Sequence, residues 1–370
     1  MNGKTPKSEN PAFLTDQLIT YLGNKRSLLH FIGEGIKRVQ TRLGKKKLST
    51  FDVFSGSGIV ARYFKQFSRL LLVNDLEKYS AVINHCYLSN RDDAGGPLRE
   101  YYGVLMEQLS RSPLEPGIIA GLYAPGDDGN IQRGERVFFT RRNALYIDTA
   151  RRLIDTVPPK LRCFFLAPLL SEASIHANTA GVFKGFYKNR ETGVGQFGGS
   201  KRDALPRITG EITLPFPVFS NFDSEVLIYR EDSNRIIRRA PEVDLAYLDP
   251  PYNQHPYGSN YFMLNLIIEN GAPDRVSAVS GIPPGWNRSD YNKKKLAYRA
   301  LQDLVTHIRA KFVLLSFNSE GIIRFEEIKA LLKTIGKVTI METPYSAFKG
   351  SRNFRQRNNH VKEYLYLLEK

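Results

Sequence analysis

The chain has 370 residues, of which 42% are hydrophobic and 24% are charged. These values are typical of a globular protein of about two domains, and they exclude a wholly disordered chain. No apolar run reaches the ~18 residues that a membrane-spanning helix needs, and the first residues lack the apolar stretch of a signal peptide. The two cysteines, Cys86 and Cys163, fit neither a disulfide scaffold nor a structural metal site. We therefore expect a soluble cytoplasmic protein with no metal ion and no membrane contact.

The chain is strongly basic, with 53 Lys and Arg residues against 37 Asp and Glu residues and a net charge of +16. The excess lies in four segments, 36–50, 184–207, 286–299 and 345–362, while the rest of the chain is close to neutral. Any one of these segments alone is compatible with an ordinary solvated face. Four of them in a balanced chain favour a surface that binds nucleic acid, and the aromatic residues among them can stack on unpaired bases.

The first quarter of the chain alternates short apolar runs with helical patterns. Residues 1–17 are polar and are expected to form a loose N-terminal tail. The elements that follow are a helix over 26–43, a strand over 51–54, a helix over 59–67, a strand over 70–73 and a helix from about residue 79. Strands that alternate with helices in this way predict a parallel sheet.

Residues 91–225 interrupt that rhythm. They are rich in Gly, Pro, Arg and aromatic residues, with helical patches near 100–110, 141–155 and 161–175. The remaining elements are strands over 226–229 and 243–248, a helix over 293–309, a strand over 312–317, a helix over 324–334 and strands over 338–341 and 364–368. The pattern predicts one α/β domain, formed by 18–90 and 226–370, with an inserted region at 91–225.

A glycine-containing turn follows the first predicted strand. Phe54, Gly56 and Gly58 lie in the sequence FSGSGIVA, which fits a G-x-G-x-x-A pattern between a strand and a helix. Its glycines allow the backbone to turn sharply and to approach a ligand closely. Asp75 ends the next strand, where a carboxylate can accept hydrogen bonds from ribose hydroxyls. Alone, these residues suit a nicotinamide dinucleotide or S-adenosylmethionine equally well, and a tight turn without a ligand is a third possibility.

The sequence Asp249, Pro250, Pro251, Tyr252 directly follows the apolar run 243–248. Ligands of open α/β sheets bind beyond the carboxyl ends of the strands, where this tetrapeptide is expected. The Asp249 carboxylate and the Pro250 carbonyl are acceptors that together can hold the two hydrogens of an exocyclic amino group. The prolines stiffen the turn, and Tyr252 offers a flat face for a base. The alternative is a plain Asp-Pro-Pro turn capped by an aromatic residue.

These motifs together resemble the Dam-type N6-adenine DNA methyltransferases of the α motif order. Tyr21, Gly23 and Lys25, within YLGNK, are similar to the N-terminal motif of that family, although Asn24 replaces its second glycine. The glycine turn, Asp75 and the Asp-Pro-Pro-Tyr sequence follow in the order of the family, and 312–318 and the C-terminal EYLYLL are similar to its later strands. The stretch 178–199 matches the family's Asn-, Gly- and Arg-rich segment only in part.

The resemblance implies a Rossmann-like methyltransferase sheet with an inserted target-recognition region. It implies site-specific N6-methylation of a flipped adenine in double-stranded DNA, with S-adenosylmethionine as the methyl donor. Asp249, Pro250, Pro251 and Tyr252 would be catalytic. The residues implied for donor binding are Tyr21, Gly23, Lys25, Phe54, Gly56, Gly58, Asp75 and Asp249.

The resemblance also implies a modification enzyme of a restriction–modification system, with a restriction endonuclease as a separate chain. Three alternatives stay open: an RNA adenine N6- or DNA cytosine N4-methyltransferase, a nicotinamide-dependent oxidoreductase, and a nucleic-acid-binding protein without catalysis. The sequence does not predict which DNA site is recognised, because base contacts depend on how side chains of the insert meet the groove edges.

Overall fold

A seven-stranded sheet forms the centre of the structure, a computed structural model that describes residues 8–199, 203–346 and 360–370. Its strands are β1 (Leu48–Asp52), β2 (Ser68–Asn74), β3 (Glu225–Tyr229), β4 (Val243–Leu248), β5 (Ala310–Asn318), β6 (Lys337–Ser346) and β7 (His360–Glu369). They are arranged in the order β3-β2-β1-β4-β5-β7-β6. All neighbouring pairs among β1 to β5 are parallel, whereas β7 runs antiparallel to both β5 and β6. The expected α/β class is confirmed.

The order of the strands reverses between β1 and β4. From β1 the sheet extends to β2 and β3 on one side, and from β4 it extends to β5 on the other. Crossover connections therefore leave β1 and β4 in opposite directions, and a crevice opens beyond their carboxyl ends. Ligands of open α/β sheets bind at this kind of switch point. The glycine turn follows β1 and the Asp-Pro-Pro-Tyr sequence follows β4, so both motifs border the crevice.

Fourteen α-helices lie in the described residues. They are α1 (Pro11–Thr15), α2 (Leu29–Leu43), α3 (Ile59–Lys65), α4 (Lys78–Tyr87), α5 (Arg91–Arg111), α6 (Ile118–Leu122), α7 (Arg141–Asp155), α8 (Cys163–Ile175), α9 (Leu205–Thr209), α10 (Ser233–Ile236), α11 (Tyr257–Asn260), α12 (Phe262–Glu269), α13 (Ala297–His307) and α14 (Phe325–Lys333). Short 3-10 helices precede α2, α8 and α13, at Arg26–Leu28, Pro159–Leu161 and Asp290–Asn292.

Most of the longer helices agree with the sequence pattern within a few residues. Helix α5, however, begins at Arg91 rather than near residue 100, and the pattern predicts no helix at α12. Phe262, Met263, Leu264, Leu266 and Ile267 are all buried, and the only polar residues of the helix are Asn265 and Glu269. Apolar residues therefore cover most of its surface, and the sequence resembles a short continuous apolar run. Among the described residues, no helix has both the length and the apolar character needed to cross a bilayer.

The region 91–225 packs directly onto the sheet domain. Tyr87 of α4, Phe165 and Leu169 of α8 and Phe262 of α12 belong to one continuous buried cluster. Burial of side chains this large removes apolar surface from water on both sides of the contact. Residues 91–225 therefore share a core with the helices that flank the crevice, and their described part is built mainly from α5 to α9.

The described part of the expected loose tail is ordered, which corrects that expectation for residues 8–17. Helix α1 begins after the capping residue Asn10 and buries Phe13 completely. The buried guanidinium of Arg62 donates hydrogen bonds to the carbonyl oxygens of Phe13, Asp16 and Gln17 at 3.1, 3.0 and 2.9 Å. A charged donor on three backbone acceptors fixes this segment against α3.

Candidate active site

The crevice between β1 and β4 opens into a cavity of about 860 Å³, its open mouth included. This size lies within the range of small-molecule sites. Its wall comes from the segment before α2, the glycine turn, the end of β2, the residues after β3 and β4, and the segment 287–292. The predicted site residues in this wall are Tyr21, Gly23, Lys25, Phe54, Gly56, Asp75, Asp249 and Pro251. Gly58, Pro250 and Tyr252 are adjacent to it without lining it.

The glycine turn is closed by Asp75. Gly56 has a φ of +50°, and its backbone N–H donates to Asp75 Oδ2 at 2.8 Å. Asp75 Oδ1 accepts a second hydrogen bond from the backbone N–H of Glu77 at 2.9 Å. Burial raises the pKa of Asp75, and these backbone donors oppose the effect. The carboxylate thus lies at the base of the cavity beside the turn.

Gly58 serves the packing of the turn. It caps the start of α3 with a φ of +76°, and a Cβ atom at this position would come within 2.9 Å of Asn84 Oδ1. The absence of a side chain lets α3 begin close to α4. Gly58 therefore affects the cavity through the backbone conformation of the turn.

Tyr21 lies over the other side of the turn. Its ring stacks on Tyr257 and Tyr261, with centroid distances of 5.0 and 4.7 Å. Its hydroxyl is 3.2 Å from that of Tyr79. Tyr21 and Tyr257 line the cavity, whereas Tyr79 and Tyr261 are fully buried against Tyr21. The four packed rings make this wall rigid.

Lys25 is paired with two carboxylates. Its Nζ atom lies 3.0 Å from Asp249 Oδ1 and 3.1 Å from Glu363 Oε1. The side chains of Lys25 and Glu363 are 4% and 2% exposed, whereas Asp249 is 16% exposed and reaches the cavity. Lys25, expected to contact the donor, is therefore also the partner of the motif carboxylate.

The three charges perturb one another because they are shielded from water. Burial raises the pKa of Asp249 to about 6, with Glu363 adding to the shift and Lys25 opposing it. Burial alone would lower the pKa of Lys25, but Asp249 and Glu363 raise it well above its ordinary value. Near neutral pH the pairing keeps Lys25 charged and leaves Asp249 mostly ionised.

Tyr252 lies against the segment before α2. A Cβ atom at Gly23, where φ is +74°, would come within 2.9 Å of the Tyr252 hydroxyl. Lys25 Nζ lies 5.4 Å from the centre of the Tyr252 ring, and Phe317 packs edge-on at 6.2 Å. The tyrosine thus borders the site at its outer side, and Gly23 leaves the space for it.

Four acidic residues of the site were not singled out from the sequence: Glu77, Glu231, Asp232 and Glu363. Glu77 lines the cavity two residues after Asp75, and burial together with the charge of Asp75 raises its pKa to about 7. Asp232 lines it after β3, a position that the strand-end rule could have indicated. Glu363 lies on β7, and no local pattern marks it. No group of three or more His, Cys, Asp or Glu residues in the described chain is arranged to hold a metal ion.

The strand order and the cavity at the switch point are consistent with the fold of S-adenosylmethionine-dependent methyltransferases. The family model for D12 class N6 adenine-specific DNA methyltransferases matches residues 21–331. The chain therefore belongs to this family, which confirms the resemblance drawn from its motifs.

Curated relatives agree with this assignment. The chain is 30% identical over 362 residues to Type II methyltransferase M.NlaIII of Neisseria lactamica, covering 95% of this chain and 99% of that protein. It is 27% identical to Type II methyltransferase M.CviAII of Paramecium bursaria Chlorella virus 1, covering 95% and 98%. It is 26% identical to Modification methylase StsI of Streptococcus sanguinis, covering 95% of this chain and 52% of that protein.

Proposed function

We propose that this enzyme transfers the methyl group of S-adenosylmethionine to N6 of an adenine at a specific site in double-stranded DNA. The observation that carries the proposal is the place of Asp249. It directly follows β4 at the switch point, it reaches the cavity, and Lys25 fixes one of its oxygens at 3.0 Å. A carboxylate in this position is suited to accept a hydrogen of an exocyclic amino group and to stabilise positive charge that grows on its nitrogen.

The charges of the cavity favour this donor over a nicotinamide dinucleotide. Among the described residues that line it, the acids are Asp75, Glu77, Glu231, Asp232 and Asp249, and the single cation is Lys25. Lys25 is already paired with two carboxylates, so the wall keeps a net negative charge, which repels a pyrophosphate. S-Adenosylmethionine instead carries a cationic sulfonium, which supplies an electrophilic methyl group when bound. The acidic wall and the Gly56 turn fit such a ligand.

The protein's own part in the reaction is mainly positioning. Asp75 would accept hydrogen bonds from the donor's ribose hydroxyls, and Tyr21 with Gly56 would shape the space beside them. Asp249 and the Pro250 carbonyl would hold the amino hydrogens of the adenine. Tyr252 would stack on the base once it has left the duplex.

A basic groove adjoins the cavity and fits the DNA backbone. Its wall includes Lys184, Arg275, Arg288 and Lys293 and no acidic residue among the described ones. Trp286 lies in the same wall, and the Arg288 guanidinium is 4.3 Å from the centre of its ring. Ser289 and Asn292 line both the groove and the cavity. A strand held here by its phosphates would deliver a base to Asp249.

Of the four basic segments of the sequence, only some supply side chains to this groove. Segment 36–50 lies at the amino ends of the parallel strands, opposite to the cavity, where Lys45 pairs with Asp244 at the start of β4 at 2.7 Å. Segments 184–207 and 286–299 supply Lys184, Arg288 and Lys293 of the groove. In segment 345–362, residues 347–359, which hold most of its basic side chains, lie outside the described residues.

The proposal is tested by incubation of the protein with methyl-labelled S-adenosylmethionine and unmethylated duplex DNA, followed by nucleoside separation. We expect the label in N6-methyladenine. Label in N4-methylcytosine would show that cytosine is the target base. Label in RNA but not in DNA would show that RNA is the substrate. Absence of donor binding by calorimetry would contradict the proposal and reopen the oxidoreductase alternative.

We further propose that the enzyme is the modification partner of a restriction endonuclease encoded as a separate chain. The support is its likeness to proteins named type II methyltransferases and a modification methylase. DNA from cells that express the protein should resist one type II endonuclease whose site contains the methylated adenine. Methylation spread over all adenines without a shared sequence would contradict this role.

A further inference from the structure

We propose that Glu363 is a positioning residue for methyl transfer: it holds Lys25 against Asp249 and gives this buried trio a net negative charge. The inference rests on the proposed function, because it concerns how Asp249 is prepared for its substrate. Glu363 lies outside the residues matched by the family model, which end at 331. Its contribution depends on β7, which enters the sheet between β5 and β6.

The geometry fixes Glu363 on two sides. Its Oε1 atom lies 3.1 Å from Lys25 Nζ and accepts a hydrogen bond from Ser316 Oγ at 2.6 Å. Ser316 is buried on β5, the strand that pairs with β7. Lys25 in turn reaches Asp249 at 3.0 Å. A chain of contacts therefore runs from the central strands through Glu363 and Lys25 to the motif carboxylate.

The charge balance of the trio suits the reaction. Two carboxylates and one ammonium carry one net negative charge when all three are ionised, whereas Lys25 and Asp249 alone would be neutral. In a site shielded from water, that charge acts on its neighbours with little screening. During methyl transfer, a cationic sulfonium and an amino nitrogen that gains positive charge would both lie near this trio. The net negative charge that Glu363 adds stabilises these two positive charges more than the neutral pair of Lys25 and Asp249 would.

A purely structural role would not require a second buried carboxylate. One carboxylate neutralises the charge of a buried lysine, and each further buried charge adds a desolvation cost. Glu363 is 2% exposed, so the protein bears that cost in full. We expect Glu363 to keep Lys25 charged and in place while Asp249 exchanges its hydrogen-bond partners.

Asp249 is surrounded by titratable groups from every neighbouring element. Lys25 comes from the segment before α2, Glu363 from β7, Tyr247 from β4 and Tyr257 from α11, and Asp52 at the end of β1 adds a buried carboxyl. The charge of Glu363 raises the pKa of Asp249. Removal of that charge should therefore lower the pKa of Asp249 and move the acid limb of the activity profile to lower pH.

The test compares Glu363→Gln with the unchanged enzyme in kcat, KM for DNA, and pH dependence from 5 to 9. We expect kcat at neutral pH to fall by about 10- to 100-fold, because misplacement of a reacting group by about 1 Å can cost that much. KM for DNA should stay nearly constant, and the acid limb should move to lower pH. Glu342→Gln is the control, because Glu342 is an exposed carboxylate on β6 paired with Lys362. It should change none of these values.

Two further variants keep the inference testable if Glu363→Gln folds poorly. Glu363→Asp keeps the charge and should retain the wild-type acid limb, and Ser316→Ala removes the hydrogen bond alone and should lower kcat by a smaller factor. An unchanged kcat and acid limb in Glu363→Gln would overturn the inference. So would losses in Glu363→Asp equal to those in Glu363→Gln, because they would show that packing rather than charge is responsible.

A readout without turnover separates this inference from the proposed function. NMR of the Asp249 carboxyl carbon, in protein without donor or DNA, should show a lower pKa in Glu363→Gln than in the unchanged protein. An unmoved pKa would overturn the inference even if the enzyme methylates DNA. Failure of the unchanged enzyme to methylate DNA would overturn the proposed function, and a lowered pKa would still support the charge coupling.

Discussion

Tyr21 lies so close to Gly56 that a Cβ atom on the glycine would come within 2.8 Å of the tyrosine Cε1 atom. Gly56 also has a φ of +50°, a conformation that favours glycine. The two residues are far apart in sequence and come from different motifs. Their contact joins the N-terminal motif to the glycine turn and defines one wall of the cavity.

Gly56→Ala should weaken donor binding while the protein still folds. A methyl group here must displace the Tyr21 ring, and it also adds the ~1–2 kcal/mol of a left-handed alanine. We expect the dissociation constant for S-adenosylmethionine, measured by calorimetry, to rise by more than about 10-fold. Gly44→Ala is the matched control, since Gly44 has a φ of +63° and no atom within 4 Å of its Cβ position. It should lose similar stability and bind donor normally.

Asp249→Asn should lose methyl transfer and keep DNA binding. The amide retains the size of the side chain, but it no longer supplies an anionic acceptor for the amino hydrogens, and the expected fall in kcat is about 100-fold or more. Lys25 keeps its partner Glu363, so the fold should persist. Asp244→Asn, at the opposite end of β4, is the control and should leave kcat per folded molecule unchanged. Equal loss of DNA affinity and kcat in Asp249→Asn would count against the catalytic role.

Donor affinity should increase as the pH rises through 7. Burial and the neighbouring charge of Asp75 raise the pKa of Glu77 to about 7, so this cavity carboxyl is half protonated near neutrality. Above that pH it is ionised and attracts the cationic donor, and binding should strengthen by about 5-fold between pH 6 and 8. Calorimetry on Glu77→Gln should show a flatter dependence. The same slope in both proteins would assign the titration to another group.

Trp286 should report DNA binding directly, because it is the only tryptophan in the chain. Duplex DNA in the basic groove should change its fluorescence, and Arg288→Ala should weaken binding and reduce the slope of log affinity against log salt by about one. Lys46→Ala, on the basic segment at the opposite edge of the sheet, is the control and should leave affinity unchanged. Equal effects of the two substitutions would contradict the placement of DNA in this groove.

The sequence predicted those parts of the site whose chemistry is local. A glycine turn after a strand and an Asp-Pro-Pro-Tyr sequence after another strand each carry their own pattern, and the strand-end rule brings them together. The strands themselves were also recognisable, because buried parallel strands are short continuous apolar runs. Their bounds shifted by a few residues where the apolar run continues into the turn, as at Phe54 after β1.

Tertiary relationships account for what the sequence did not show. Glu363 reaches Lys25 only because β7 inserts between β5 and β6, and nothing around residue 363 signals that insertion. Residues 8–17 looked like a loose tail because their composition is polar, whereas the anchor is the buried Arg62 on α3. The groove around Trp286 likewise joins Lys184 to residues about a hundred positions later in the chain.

The place of β7 sets an order in which this sheet can be completed. Strand β6 pairs with β7 alone among the described strands, so it joins the sheet only when β7 has docked on β5. Until β7 is in place, the carboxylate of Glu363 cannot reach Lys25. Assembly of the sheet edge and completion of the charge network are then one event, and a partly folded chain lacks the active arrangement even though both of its recognisable motifs are in place.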